Sequence, residues 1–371
     1  MPGVNTSAFF ELIKAGLWEK EARLSQYGKI DYEEIMRLAE EQSVDGLITA
    51  GLEHVVDVKV PQEVLLQFIG NTLQIEQQNK DMNVFVAKLI EKLQKADINA
   101  VLVKGQGIAQ SYERPLWRNS GDIDLLLDEK NYEKAKSFIN PMADAVEKES
   151  KGIKHIVYTV EGWIIELHGT LHCGLSKKMD NLIDSIQHDT FENKYRIWEN
   201  GSTRVKLPEV NNDIIFVFTH FLKHFFKEGL GLRQICDWCR LMWTYRETLN
   251  HGLLENRIRE VGLMSEWKAF AAYAVDYLGM SAEVMPLYDK SAKWSKKARR
   301  INRFVLVVGN MGHNRENNSN RKESFVMRKM FSLFRRIGDM CNHAMIFPLN
   351  SVRFFPYIFM KGVKLAAQGI G

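Results

Sequence analysis

The 371-residue sequence has no apolar run approaching the roughly 20 residues that a membrane-spanning helix needs. Its N-terminal stretch, MPGVNTSAFFELIKAGLWEKEARL, lacks a basic region followed by an apolar segment and a cleavage site. Both absences favour a cytoplasmic location. Cysteine is scarce: Cys173, Cys236, Cys239 and Cys341 are too few and too scattered for a disulfide framework, which fits a reducing compartment. Cys236 and Cys239 form a CxxC, but within an apolar stretch and with no second cysteine pair nearby, so they read as buried helix cysteines rather than a zinc site. No tract is biased enough for disorder or a fibre. A Walker-type glycine loop and a kinase motif set are both missing, which removes support for transfer of phosphate alone.

What is present is an ordinary globular composition, 45% hydrophobic and 26% charged, in a chain long enough for two or three structural units. The net charge of +4 hides an asymmetry. Between Lys290 and Arg336 there are 14 Lys or Arg against two acids, Glu316 and Glu323, while the remainder is net acidic. Such a block suits a weak contact with a polyanion, a nucleic acid or an anionic membrane surface, and equally a set of solvated helix faces.

From Thr6 to about Ala96 apolar residues recur at three- and four-residue spacing, predicting helices, one of them opened by Pro61. The character changes near Ile98. INAVLVKG and GDIDLLLDE are short β-rich runs, with QGIAQSYE between them and NYEKAKSFI after them as short helices. KHIVYTV and WIIELHGTL, separated by Glu161-Gly162, predict a hairpin. The expected fold is α+β: a small mixed sheet over residues 93–208, an N-terminal helical region over 1–92, and a C-terminal helical region over 209–371 that carries the basic segment 290–336. Near the end, Pro348 and Pro356 argue against one continuous amphipathic helix in MIFPLNSVRFFPYIFMKGVKLA, and packing onto the protein's own body is favoured over a membrane surface or a partner.

Side chains alternate along a strand, so Asp122 and Asp124 project from one face while Ile123 and Leu125 project from the other. Two carboxylates held this close favour a cation between them, and hard oxygen ligands suit Mg2+ or Mn2+. Glu166 and His168 share a face of a later strand that can lie beside the first, which supplies a third acid for a two-metal site. An Asp-x-Asp alone is a weak signal, common on solvated edge strands. The apolar setting GDIDLLL, with Lys104-Gly105 ending the preceding strand and Arg118 and Ser120 just ahead of the acids, strengthens it. Gly105 and Gly107, at a turn from strand into helix, would let backbone N–H groups approach phosphate oxygens, or mark an ordinary turn.

Taken together, KGQGIAQSY, RNSGDIDLLLD and HIVYTVEGWIIELHGTLH resemble the uncharacterised nucleotidyltransferases of the polymerase-β-like superfamily. Flanking helical stretches extend the likeness over roughly Phe9 to Tyr245. The resemblance implies that Asp122, Asp124 and Glu166 are the catalytic metal ligands, that Lys104, Gly105, Arg118 and Ser120 surround the nucleotide phosphates, and that His155 and His168 line the same cleft. The superfamily's usual Gly-Ser triphosphate holder is replaced by Lys104-Gly105. Downstream, His220, Lys223 and His224 fall on one helix face and Arg233 and Asp237 lie four apart, either closing over the site or serving as structural residues, the latter two as an intrahelical pair. The expected activity is Mg2+- or Mn2+-dependent transfer of a nucleoside monophosphate from a nucleoside triphosphate to an unidentified acceptor hydroxyl. The competing expectation is a non-catalytic module that binds nucleotide or nucleic acid, which would have no need of three carboxylates on adjoining strands.

Overall fold

The structure is a computed structural model describing residues 3–149, 154–192, 194–227, 229–309 and 338–367. The part of the basic segment from 310 to 336 lies outside the described residues.

Four helices open the chain: α1 (Val4–Trp18), α2 (Tyr32–Gln42), α3 (Asp45–Glu53) and α4 (Gln62–Lys95). Pro61 caps α4, its fixed φ and missing N–H being harmless at a helix start. In its second half α4 turns Met82, Val86, Leu89, Ile90 and Leu93 inward, a spacing that keeps one stripe against the sheet that follows.

That sheet contains β1 (Ala100–Val103), β2 (Asp122–Leu127), β3 (Ala145–Val146), β4 (His155–Val160) and β5 (Trp163–His168) in the order β1-β2-β5-β4-β3. Short α5 (Gly105–Ala109) follows β1, and α6 (Glu129–Ile139) follows β2. β2 and β5 run parallel, while β1, β4 and β3 pair antiparallel with their neighbours, so the sheet is mixed and the fold is α+β. The β4–β5 hairpin turns at Glu161-Gly162, whose φ values of 51° and 79° suit a tight two-residue turn. One sheet face, with Ile123, Leu125, Leu127, Ile165 and Leu167, packs with α4 and α6 in a single core. Val101, Val103 and Leu126 belong instead to the larger helical core, so the face carrying the acids meets the C-terminal helices.

After α7 (Lys177–Phe191), β6 (Tyr195–Asn200) and β7 (Thr203–Pro208) form a separate two-stranded sheet, with β7 packed beside β1. The helices α8 (Val210–Lys227), α9 (Leu232–Thr244), α10 (His251–Glu260), α11 (Met264–Leu278) and α12 (Ala292–Val308) follow. Phe218, Phe221, Trp238, Trp267 and Phe270 interlock α8, α9 and α11, with the Trp238 and Trp267 rings 4.7 Å apart and edge to face. Cys236 and Cys239 are fully buried on α9, and burial pushes both thiols above their ordinary range.

The last helical segments are α13 (338–346) and α14 (Pro348–Ala367). The helix breaks at Phe347, just ahead of Pro348, as the sequence predicts, but at Pro356 the expectation fails: α14 runs through it as one helix. The proline frees the carbonyl of Val352, a residue 75% exposed, so water can replace the missing partner. Phe354 is buried against Phe226, while Leu349, Val352 and Phe359 face outward. No described helix is long and apolar enough to cross a membrane.

Glu266 on α11 is fully buried and accepts a 2.6 Å hydrogen bond from Asn350 Nδ2 of α14. Burial pushes its carboxyl up from 4.5 to about 7, with the Asn350 bond opposing. The folded chain therefore retains a proton that the unfolded chain releases. The linked stability is complete below pH 4.5 and is lost as pH rises towards about 7. The expected slope is about 1.4 kcal/mol per pH unit. Urea unfolding across this range should show that decline in the native chain and a flatter profile in Glu266→Gln.

Candidate active site

Lys104 follows β1 directly, and its φ of 57° is rare for a side-chain-bearing residue. The next residue, Gly105, has φ of 35° and passes so close to β2 that a Cβ there would stand 3.3 Å from the Asp122 carbonyl oxygen. This turn points the Lys104 ammonium back across β2, where Nζ donates to Asp124 Oδ1 at 2.7 Å.

Asp122 and Asp124 leave one face of β2, and the parallel register sets Asp124 directly beside Glu166 on β5. One ligand atom each from Asp122, Asp124 and Glu166 falls within 4.8 Å of the others. Their electrostatics differ. The negative charge of Asp124, followed by burial, pushes the Asp122 carboxyl up to about 6. Burial also opposes ionisation of Asp124, but Lys104 and His168 outweigh it and hold that carboxyl below its ordinary range. Glu166 follows the same pattern: burial opposes its charge, and hydrogen bonds from His155 and His168 overcome it. Among the described residues, the side-chain bonds to Asp124 from Lys104 and from His168 Nε2, each 2.7 Å, both end on Oδ1.

The loop between α5 and β2 is fastened from three sides. Asn79 of α4 donates to the carbonyls of Leu116 and Arg118 at 2.7 and 2.8 Å and accepts from Gln106. Asn119 donates to Asp45 of α3, and its carbonyl accepts from Arg233 of α9 at 2.8 Å. Arg118 lies flat against Asp237 of α9, with Nε and Nη2 each 2.7 Å from a carboxylate oxygen, and Tyr112 donates to Asp237 Oδ1 at 2.8 Å. Asp237 keeps the guanidinium charged against the opposing effect of burial.

These elements enclose a cleft of about 310 Å³ lined by Lys104, Gly105, Arg118, Ser120, Asp122, Asp124, His155, Glu166, His168, His220, Lys223, His224, Arg233 and Asp237, whereas Gly107 is not among its lining and packs against Leu207 of β7. Arg118 donates to Ser120 Oγ at 2.9 Å. The intrahelical reading of Arg233 with Asp237 is replaced by a longer-range arrangement, since the bonds of Asp237 go to Arg118 and Tyr112 and that of Arg233 to the Asn119 carbonyl. Arg233 Nε meets no acceptor among the described residues. His220 and His224 sit with their Nε2 atoms 3.0 Å apart, and burial, then the nearby Lys104 charge, holds His220 well below the ordinary imidazole range. Sequence reasoning assigned no role to Tyr112, Asn79 or Asn119. Tyr112 lies inside the QGIAQSY stretch, but an isolated tyrosine carries no periodic signal that marks a buried hydrogen bond.

Arg118 and Asp237 are each about 95% covered, so removing one charge leaves the other buried and uncompensated. Asp237→Asn should lower unfolding stability by about 3–5 kcal/mol. Urea titration checks this, and the double change Arg118→Met with Asp237→Leu should restore a large part of the loss.

Residues 28–279 match the family described as "Uncharacterised nucleotidyltransferase". Among solved structures, a crystal structure of an antigenic nucleotidyltransferase-like protein from Paracoccidioides brasiliensis matches 50% of this chain and 90% of that chain, at 15% identity and a TM-score of 0.31. No curated protein matches the chain.

Proposed function

We propose that the cleft is a metal-dependent nucleotidyl-transfer site, and the premise is membership: the chain belongs to the family of uncharacterised nucleotidyltransferases. The observation that carries the proposal is the convergence of Asp122, Asp124 and Glu166 from neighbouring parallel strands on the lining of one cleft. The donor set fits Mg2+ or Mn2+: three carboxylates converge, the side-chain bonds to Asp124 among the described residues end on Oδ1 and not Oδ2, and the mutual repulsion that pushes Asp122 up is what a divalent ion relieves. When bound, such ions neutralise triphosphate oxygens and activate an acceptor hydroxyl.

The chain's own groups supply the rest. Glu166, held ionised by His155 and His168, keeps its carboxylate available to a metal ion that would activate the acceptor hydroxyl. Lys104 balances the charge of Asp124 from the β1 side and fixes its carboxylate orientation. Arg233 and Lys223 reach the cleft from α9 and α8 and provide positive charge for a triphosphate, a role the superfamily's Gly-Ser otherwise fills. Arg118 acts at one remove, since its fork is engaged by Asp237 and it orients the loop that leads into Asp122. The substrate is a nucleoside triphosphate and the second substrate an acceptor hydroxyl that the cleft admits.

Calorimetric titration with the four nucleoside triphosphates in the presence of Mg2+ tests this reading. At least one should bind the native chain, and binding should disappear when Mg2+ is removed or when Asp122 and Asp124 are both changed to Asn. Equal binding by the double variant, or none by the native chain, overturns the proposal and leaves a non-catalytic module as the working description.

A further inference from the structure

Two antiparallel strands place His155 opposite His168, and Glu166 lies two residues along the same face of β5. The imidazoles stack with centroids 4.8 Å apart and planes 23° from parallel. His155 Nε2 lies 3.1 Å and His168 Nε2 3.3 Å from the same oxygen, Glu166 Oε2. An ion bound about 2.0–2.2 Å from each of three ligands separates those ligands by about 3.0–3.5 Å. The two histidine–glutamate separations therefore fall in that range, all three atoms lie within 4.8 Å of one another, and a turn of one imidazole out of the stack would bring both ring nitrogens onto one ion.

We propose that His155, Glu166 and His168 form a second cation site, one that takes a divalent transition ion of the Zn2+ kind in preference to Mg2+. The preference follows from ligand chemistry: two imidazoles and one carboxylate suit a borderline ion, whereas the all-oxygen set of Asp122, Asp124 and Glu166 suits a hard one. Position within the sheet favours occupancy as well. Lys104, the cation already resting on the acids, belongs to the β1 edge, whereas His155 belongs to β4, beyond both β2 and β5. Glu166 lies between the two ligand sets and bridges them, so the inference rests on the proposed nucleotidyl-transfer site only through that shared side chain.

The hairpin that presents the histidines turns at Glu161-Gly162 and is paired over all six residues of each strand, so the two rings are set by backbone register rather than by a loop. Occupancy would replace direct contacts of His155 and His168 with Glu166 by contacts through the ion. It would also draw His168 Nε2 away from Asp124 Oδ1, releasing that oxygen to the neighbouring site.

The test uses the full chain, freed of metal by dialysis against chelator and titrated calorimetrically with Zn2+ in excess Mg2+. In a second titration Co2+ stands in for Zn2+ and is read by its visible absorption. One Zn2+ per chain is expected, with a Co2+ spectrum showing nitrogen ligation. His155→Gln and His168→Gln should each weaken uptake at least tenfold, and Asp122→Asn should retain it. Absence of Zn2+ uptake by the native chain overturns the inference, as does uptake that both histidine variants retain or a Co2+ spectrum of oxygen ligands alone. The native spectrum decides the matter even where a variant fails to fold. Nucleoside triphosphate binding with Mg2+, measured on the same preparation, separates failure of this site from failure of the nucleotidyl-transfer reading.

Discussion

The in-register pairing of Asp124 with Glu166 across parallel strands β2 and β5 forces two carboxylates side by side on one face of the sheet, with Asp122 two residues away. Like charges at this separation repel, and burial sharpens the repulsion by removing water. Much of the surrounding structure answers that problem. Lys104 is brought back by a rare backbone conformation, the two histidines of the β4–β5 hairpin press on Glu166, and Asp122, left without a direct cationic bond, holds its proton to a higher pH than an ordinary aspartate. A cluster arranged in this way favours cation binding, because the energy of bringing the charges together has already been met by the fold.

The helical regions serve the same end from the opposite side. α9 contributes Asp237 and Arg233, which grip the loop leading into β2 through Arg118 and Asn119, while α3 and α4 hold that loop from behind through Asp45 and Asn79. The loop is thus a half-buried connection held by side chains distant in sequence, and Arg118, four residues ahead of Asp122, takes its partner from 119 residues away. The aromatic core of α8, α9 and α11 keeps that grip rigid.

The sheet's inner strands were legible in the sequence because β-branched runs bounded by glycine carry a strong local signal, and because alternation alone put Asp122 and Asp124 on one face. The hairpin was legible from Glu161-Gly162. The parallel pairing of β2 with β5 was open only as a possibility, since register between strands some 40 residues apart is set by packing. Strand β3 is two residues long and too brief for alternation to show, and β6 is half-exposed along nearly its whole length, with no clean pattern to pair with the alternating β7. The Arg118–Asp237 pair joins residues whose local spacing suggested a different partner for Asp237, because helix geometry makes the i,i+4 neighbour visible and the distant one invisible. Pro356 misled for a related reason: its effect on a helix depends on whether water can reach the freed carbonyl, a property of the folded surface.

Crystals of the chain soaked in Mn2+ and measured at its absorption edge test the central claim most directly. The account predicts an anomalous peak between the carboxylates of Asp122, Asp124 and Glu166, with Asp124 Oδ2 among the ligands. No peak there, with Lys104 still resting on Asp124 and the three acids splayed toward solvent, would contradict it.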